Sequence, residues 1–231
     1  MKYLGRLLGR VFVFAVALLL IYQAWLFGHV VWWIWFDPQT TAFMDARLEV
    51  LRKKNPRAQL QHEWVPYDKV SVHLKQALIA AEDAKFLDHD GFDWEAIQQA
   101  AEKNLRRGRV VAGGSTISQQ LAKNLFLSSE RSPWRKLQEA AITVMIESVM
   151  SKRRILEIYV NVIEWGEGVF GAEAAARHYY GATARWLSPW QAAQLAAMVP
   201  RPRFYDRVRY TPLLDQRSAT ILDHMYHVQV P

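Results

Sequence analysis

The hydrophobic pattern changes character once along the chain. From Val11 to Phe36 there is no Asp, Glu, Lys or Arg for 26 residues, which predicts a helix of about 39 Å against a hydrocarbon core of about 30 Å. Trp25, Trp32, Trp33 and Trp35 gather toward its end, where interfacial aromatics belong. A buried core helix and a cleaved signal peptide are the alternatives; the latter needs a shorter apolar core and a small-residue cleavage site, which is lacking. The reading is therefore a permanent transmembrane anchor over 11–36 behind a tail over 1–10. Lys2, Arg6 and Arg10 precede the anchor without an acid, so the tail is cytoplasmic and the rest faces outward, into the periplasm of a Gram-negative-type cell.

Beyond Asp37 the pattern is mainly helical. Residues 37–68 carry scattered charges, Pro38, Pro56, Pro66 and an extended-looking Gln59–Val65, and read as linker and domain entry. Helical spacing of Val70, Leu74, Ala77, Leu78 and Ala81 puts Glu82 and Asp83 at a helix C-terminus, where the dipole raises a carboxyl pKa. Asp93 caps a second helix ending at Gly108. Thr116 and Gln119 form a capping box for a helix to Leu127 whose one face carries Thr116, Gln120 and Lys123. Ser132-Pro133 opens a helix with a stripe of Trp134, Leu137, Ala141, Val144, Met145 and Ser148. Further helices follow over Ile155–Asn161, over Ala172–Tyr180, after Ser188-Pro189 and after Thr211-Pro212. Little of the chain alternates with period two, so residues 69–231 read as one predominantly α domain.

Composition narrows the chemistry. The chain has 231 residues and a net charge of +7, which favours an anionic partner, whether membrane surface, phosphorylated substrate or nucleic acid. The outward topology argues against nucleic acid. With no cysteine there is neither disulfide nor thiolate nucleophile. No His-Glu-x-x-His pair supports a zinc protease, and Gly114-Ser115 lacks the rest of a nucleophile elbow. His73 and His178 read as ordinary helix residues.

What remains is Gly113–Asn124, a glycine turn leading into a polar helix, and two carboxylates, Glu82 and Glu139. Turn N–H groups, a helix N-terminus and Lys123 can hold a phosphate or diphosphate; capping alone would equally explain the Thr116/Gln119 pair. No lysine precedes Ser115 or Thr116, so this is no nucleotide P-loop. Glu139 lies one helical turn from Arg135 and Lys136, as in a solvated ion-pair cluster or a site. Paired carboxylates are the usual equipment of glycosidic chemistry.

Five segments then combine. Glu82-Asp83-x-x-Phe86-x-x-His89-x-Gly91-x-Asp93, Gly114–Asn124 and Arg135-Lys136-x-x-Glu139 resemble the first three motifs of the family 51 peptidoglycan glycosyltransferases. Lys152-x-x-Ile155-Leu156-Glu157-x-Tyr159-x-Asn161 resembles the fourth and Leu195–Pro200 the fifth. That resemblance implies a lysozyme-like helical domain that polymerises lipid II into β-1,4-linked glycan with inversion and loss of undecaprenyl diphosphate. It implies Glu82 as general base and Glu139 beside the donor diphosphate. Lys123, Arg135 and Lys136 would neutralise that diphosphate. Asp83, Phe86, His89, Ser115, Thr116, Ser118, Gln119, Gln120 and Asn124 would serve substrate binding. The family often uses a divalent cation, Mg or Mn, for which Asp83 is a candidate ligand; no organic cofactor is expected. Implied partners are lipid II, the growing strand, the membrane and cell-wall synthesis or division proteins. With 31 residues after Pro200, no transpeptidase domain is expected. A peptidoglycan-cleaving glycosidase is the rival enzyme class, but it would leave Lys123 and Arg135 without a task. A membrane-anchored scaffold is the non-enzymatic rival. Arg106–Arg109 and the glycine run after it suit a segment that closes on substrate.

Overall fold

The computed structural model describes residues 2–109, 113–127 and 132–231. It divides into two compact units, Met1–Phe36 and Asp37–Pro231. In the first, helix α1 runs over Lys2–Trp32. Its stretch Gly5–Trp32 has a mean hydropathy of 2.2, and most of its side chains are exposed, so it is long and apolar enough to cross a membrane. The helix differs from the expected 11–36 at both ends. It starts inside the presumed tail and stops at Trp32, where a turn follows that stacks Phe36 on Trp32 with ring centroids 3.8 Å apart.

In the second unit the expected linker is part of the fold. Thr41 caps helix α2 (Ala42–Lys54) through its side chain, which accepts from the Met44 N–H at 3.1 Å. Strand β1 (Gln61–His62) follows, then α3 (Val72–Glu82), α4 (Trp94–Arg107), α5 (Ile117–Phe126), α6 (Pro133–Val149) and α7 (Lys152–Val162). The run punctuated by Gly166, Gly168 and Gly171 forms strands β2 (Glu164–Gly166) and β3 (Val169–Phe170). These pair antiparallel, and β1 adds parallel to β3. The hairpin was not anticipated, since strands this short leave no period to read. Helices α8 (Ala172–Tyr180), α9 (Pro189–Met198), α10 (Pro202–Val208) and α11 (Pro212–His224) complete the unit. Of these, α10 was unforeseen.

Two groups of helices set up the site. Helix α5 packs on α2, α6 and α7, while α3 packs on α9 and α11. Phe86, Tyr159, Trp165, Phe170 and Tyr205 are fully buried between them, each removing enough apolar surface for about 1.5–3 kcal/mol. The capping boxes at Thr116 and Ser188 both form, and Gly108 ends α4 in the left-handed conformation.

One helix is rotated from expectation. In α6 the apolar residues Trp134, Leu137 and Val144 are exposed, whereas Gln138, Glu139, Ile142, Thr143 and Ile146 face inward. The period is right and the phase is wrong, because this helix gives its inward face to polar groups of a site.

Candidate active site

Glu82 and Asp83 share the end of α3 but not their surroundings. Asp83, the C-cap, is buried and both its oxygens are used. One accepts the Ile117 N–H at 3.0 Å, and the other pairs with His89 Nε2 at 2.9 Å. The Gly91 N–H donates to His89 Nδ1 at 3.1 Å, so the proton facing Asp83 must reside on Nε2. Gly91 has φ +91°, and a Cβ there would meet Thr143 Cγ2 at 2.7 Å, so no larger residue fits this turn.

Behind this pair lies a continuous polar frame. Thr116 Oγ1 donates to Gly91 O at 2.7 Å, and Gln119 closes the capping box. Ser118 Oγ donates to Glu147 Oε1 at 2.5 Å. Lys152 Nζ bridges Glu147 (2.7 Å) and the His89 carbonyl (2.6 Å), and it lies 4.8 Å over the Phe86 ring. Thus Asp83, Phe86, His89, Thr116, Ser118 and Gln119, all expected to touch substrate, have side chains buried or already hydrogen-bonded within the fold. Glu147 was missed; one acid on a helix carries no signal until its partners from α5 and α7 arrive.

Among the described residues Glu82 has one hydrogen-bond partner, Gln120, whose Nε2 donates to Glu82 Oε2 at 2.7 Å. Tyr159 OH donates to Gln120 Oε1 at 3.0 Å, which fixes which end of the amide faces the carboxylate. Burial holds the Tyr159 phenol well above its ordinary pKa, so it remains a donor. The Glu82 pKa is raised as expected, but by burial first; Gln120, Lys123 and Arg217 oppose the shift and Asp83 adds to it.

The cations come from α5 and α6. Glu139 is buried and takes Arg135 Nη1 at 3.1 Å together with Lys136 Nζ. Lys136 also reaches Ser115 Oγ at 3.5 Å. Lys123 has no hydrogen bond or ion pair among the described residues; burial lowers its pKa, the Glu139 and Glu82 charges raise it, and Arg135 and Lys136 lower it. The three cations outnumber the two carboxylates, Glu139 and Glu82, that act on them.

Two cavities lie near these residues, one lined by Glu82 and the other by its partner Gln120. One, of about 470 Å³, is lined by Gln120, Lys123, Asn124, Arg201, Arg203 and Arg207. The other, of about 460 Å³, has Glu82 on its wall and a mostly apolar lining from α3, α9 and α11. For a cation, Asp83 is a poor ligand because both oxygens already have donors, and among the described residues no three His, Asp or Glu gather as metal ligands would. The expected mobile segment falls partly on 110–112, outside the described residues.

A carboxylate of raised pKa beside a cluster of cations, on a helical scaffold, is suited to group transfer. The family model described as transglycosylase matches residues 49–226, and the chain belongs to that family. A biosynthetic peptidoglycan transglycosylase of Nitrosospira multiformis is 62% identical over 222 residues, covering 96% of each chain. One from Dechloromonas aromatica is 58% identical over 231 residues, covering 100% of both.

Proposed function

We propose that this protein is a membrane-anchored peptidoglycan glycosyltransferase that polymerises lipid II into β-1,4-linked glycan. The observation that carries the reading is Glu82 itself, a carboxylate with a raised pKa and one close hydrogen bond, beside the Lys123, Arg135 and Lys136 charges. Glu82 takes the proton from the acceptor 4-hydroxyl as its oxygen bonds to the donor C1. The bond from C1 to the phosphate oxygen breaks on the opposite face, which inverts the anomeric centre. The electron pair leaves with undecaprenyl diphosphate, and Lys123, Arg135 and Lys136 neutralise that charge. Glu139 holds Arg135 and Lys136 in place. Gln120 orients the base.

The anchor keeps the site near the polyprenyl tail. Lys2, Arg6 and Arg10 set the N-terminus in the cytoplasm and the catalytic unit in the periplasm, beside the inner-membrane leaflet that presents lipid II. Incubating the purified full chain with labelled lipid II in detergent tests the activity. A ladder of lengthening glycan is the expected result; cleavage of finished sacculi without chain growth would establish the glycosidase instead.

A further inference from the structure

A cavity of about 450 Å³ lies at the N-terminal end of α3, the end opposite Glu82, and it has no residue in common with the cavities lined by Glu82 and Gln120. The 11 residues of α3 put about 15 Å between its two ends. Asp68, Val72, Lys75, Arg185 and Trp186 are among the lining residues. One stretch of the rim is held at both ends. The Ser71 N–H donates to the Ala184 carbonyl at 2.9 Å, and Ser71 Oγ donates to the Leu187 carbonyl at 3.1 Å. Glu173 Oε2 accepts the Ala184 N–H at 2.8 Å. Between these fixed points the chain presents Arg185 and Trp186, and neither side chain is buried. The indole is 73% exposed. The guanidinium lies 5.1 Å from the indole centroid and has no hydrogen bond or ion pair among the described residues. An exposed ring on a fixed turn, with a cation over it, loses little freedom when it takes a ligand.

Charge in the cavity is unbalanced. Asp68 already has Arg153 at 2.6 Å. Lys75 is 7% exposed, and its ammonium has one hydrogen-bond acceptor among the described residues, the Tyr67 carbonyl at 3.1 Å. An ammonium carries three N–H groups, so donors remain. Burial lowers the Lys75 pKa, with Asp68 opposing and Arg153 adding to the shift, and a bound anion would act in the direction of Asp68.

These features select among ligands. A phosphate headgroup would use the cations and leave the indole bare. An unsubstituted amino-sugar chain would stack its ring C–H face on the indole and leave the cations unmatched. A glycan strand that carries peptides supplies both a ring face and free carboxylates. It is also the product of the reaction proposed at Glu82, so it is held at high local concentration beside this cavity while it grows.

We propose that this cavity is a second binding site for the product strand, taking a peptide-bearing N-acylamino sugar with its ring on Trp186 and a peptide carboxylate on Lys75 and Arg185. This rests on the reading of the chain as a glycan polymerase. A strand held here stays with the enzyme between additions, so the site governs strand length and not the bond-forming step.

The test titrates the full chain in detergent with lipid-free glycan oligomers, with their peptides intact or removed, and with the free acidic peptide. Arg185→Ala combined with Trp186→Ala removes two exposed side chains and spares the Ser71 bonds, which run to backbone carbonyls. Affinity for the peptide-bearing oligomer should fall about tenfold. With lipid II, the same variant should make shorter glycan while the rate of bond formation changes by less than about twofold. Arg185→Glu should weaken the peptide-bearing oligomer more than Arg185→Ala does and change the peptide-free oligomer by less than about twofold. Unchanged affinity in the double variant overturns the inference. So does free peptide binding as tightly as the peptide-bearing oligomer, which would make the cavity a site for an acidic protein segment. The titration needs no turnover: a chain that makes no glycan from lipid II overturns the proposed function, and the oligomer affinities still decide this site.

Discussion

Two sides of one site differ in what the fold has already used. Behind Glu82, the Asp83–His89–Gly91 turn and the Ser118–Glu147–Lys152 chain use their polar atoms on one another. In front, among the described residues, Lys123 has no hydrogen bond or ion pair, Arg135 Nε is buried without a partner, and Glu82 has a single close donor. Motif residues thus fall into two kinds, those that hold the turn and those left with capacity for a substrate. Adjacent positions can belong to different kinds, as Glu82 and Asp83 do.

That division can be broken by substitution, and the largest effect falls on turnover. Glu82→Gln keeps size and accepts from the same side, so we expect chain growth to fall by about 10²–10⁴-fold with melting temperature not lowered. Asp83→Ala should do the reverse in kind. It strands His89 and the Ile117 N–H, and denaturant unfolding should show a loss of about 3–5 kcal/mol, with activity falling only because the fold does. A Glu82→Gln protein that melts far below the parent would erase the distinction.

Smaller effects sharpen it. Lys123→Ala should weaken binding of a diphosphate lipid about tenfold, measured by titration, while stability changes by less than about 0.5 kcal/mol, because no described residue bonds that ammonium. Unchanged affinity would mean that Lys123 does not meet the diphosphate. The smallest effect is linked to pH. Burial raises Glu82 above its ordinary value of 4.5, so the folded chain holds that proton more tightly than the unfolded chain. The ionised carboxylate then costs stability, wholly above the folded pKa and not at all below 4.5. Glu82→Gln should accordingly melt higher than the parent at pH 7, with the gain vanishing as pH falls below about 4.5. A gain that persists in acid would mean that burial of charge is not its cause.

Much of this was legible from local pattern. The capping residues Asp93, Thr116, Ser132, Ser188 and Thr211 and the stops at Gly108 and Gly181 mark helix ends by chemistry that acts within a few residues. Placement of Glu82, Lys123 and Glu139 together followed from motif order. What escaped depends on partners distant in sequence. The α6 stripe suggested the wrong buried face, because the helix buries Glu139 with its partners Arg135 and Lys136 alongside, and Thr143 Oγ1 is satisfied by the Glu139 carbonyl of the same helix. The linker hid a helix whose apolar face acquires meaning only against α5. Glu147 stands outside the five motifs, and only the packing of α5, α6 and α7 gives it partners.

The most direct test of the account is a single-turnover measurement on Glu82→Gln loaded with lipid II, with bound substrate quantified in the same sample. The account predicts near-normal occupancy and almost no glycosidic bond formation across neutral pH. Bond formation at the unsubstituted rate from that bound complex would contradict it.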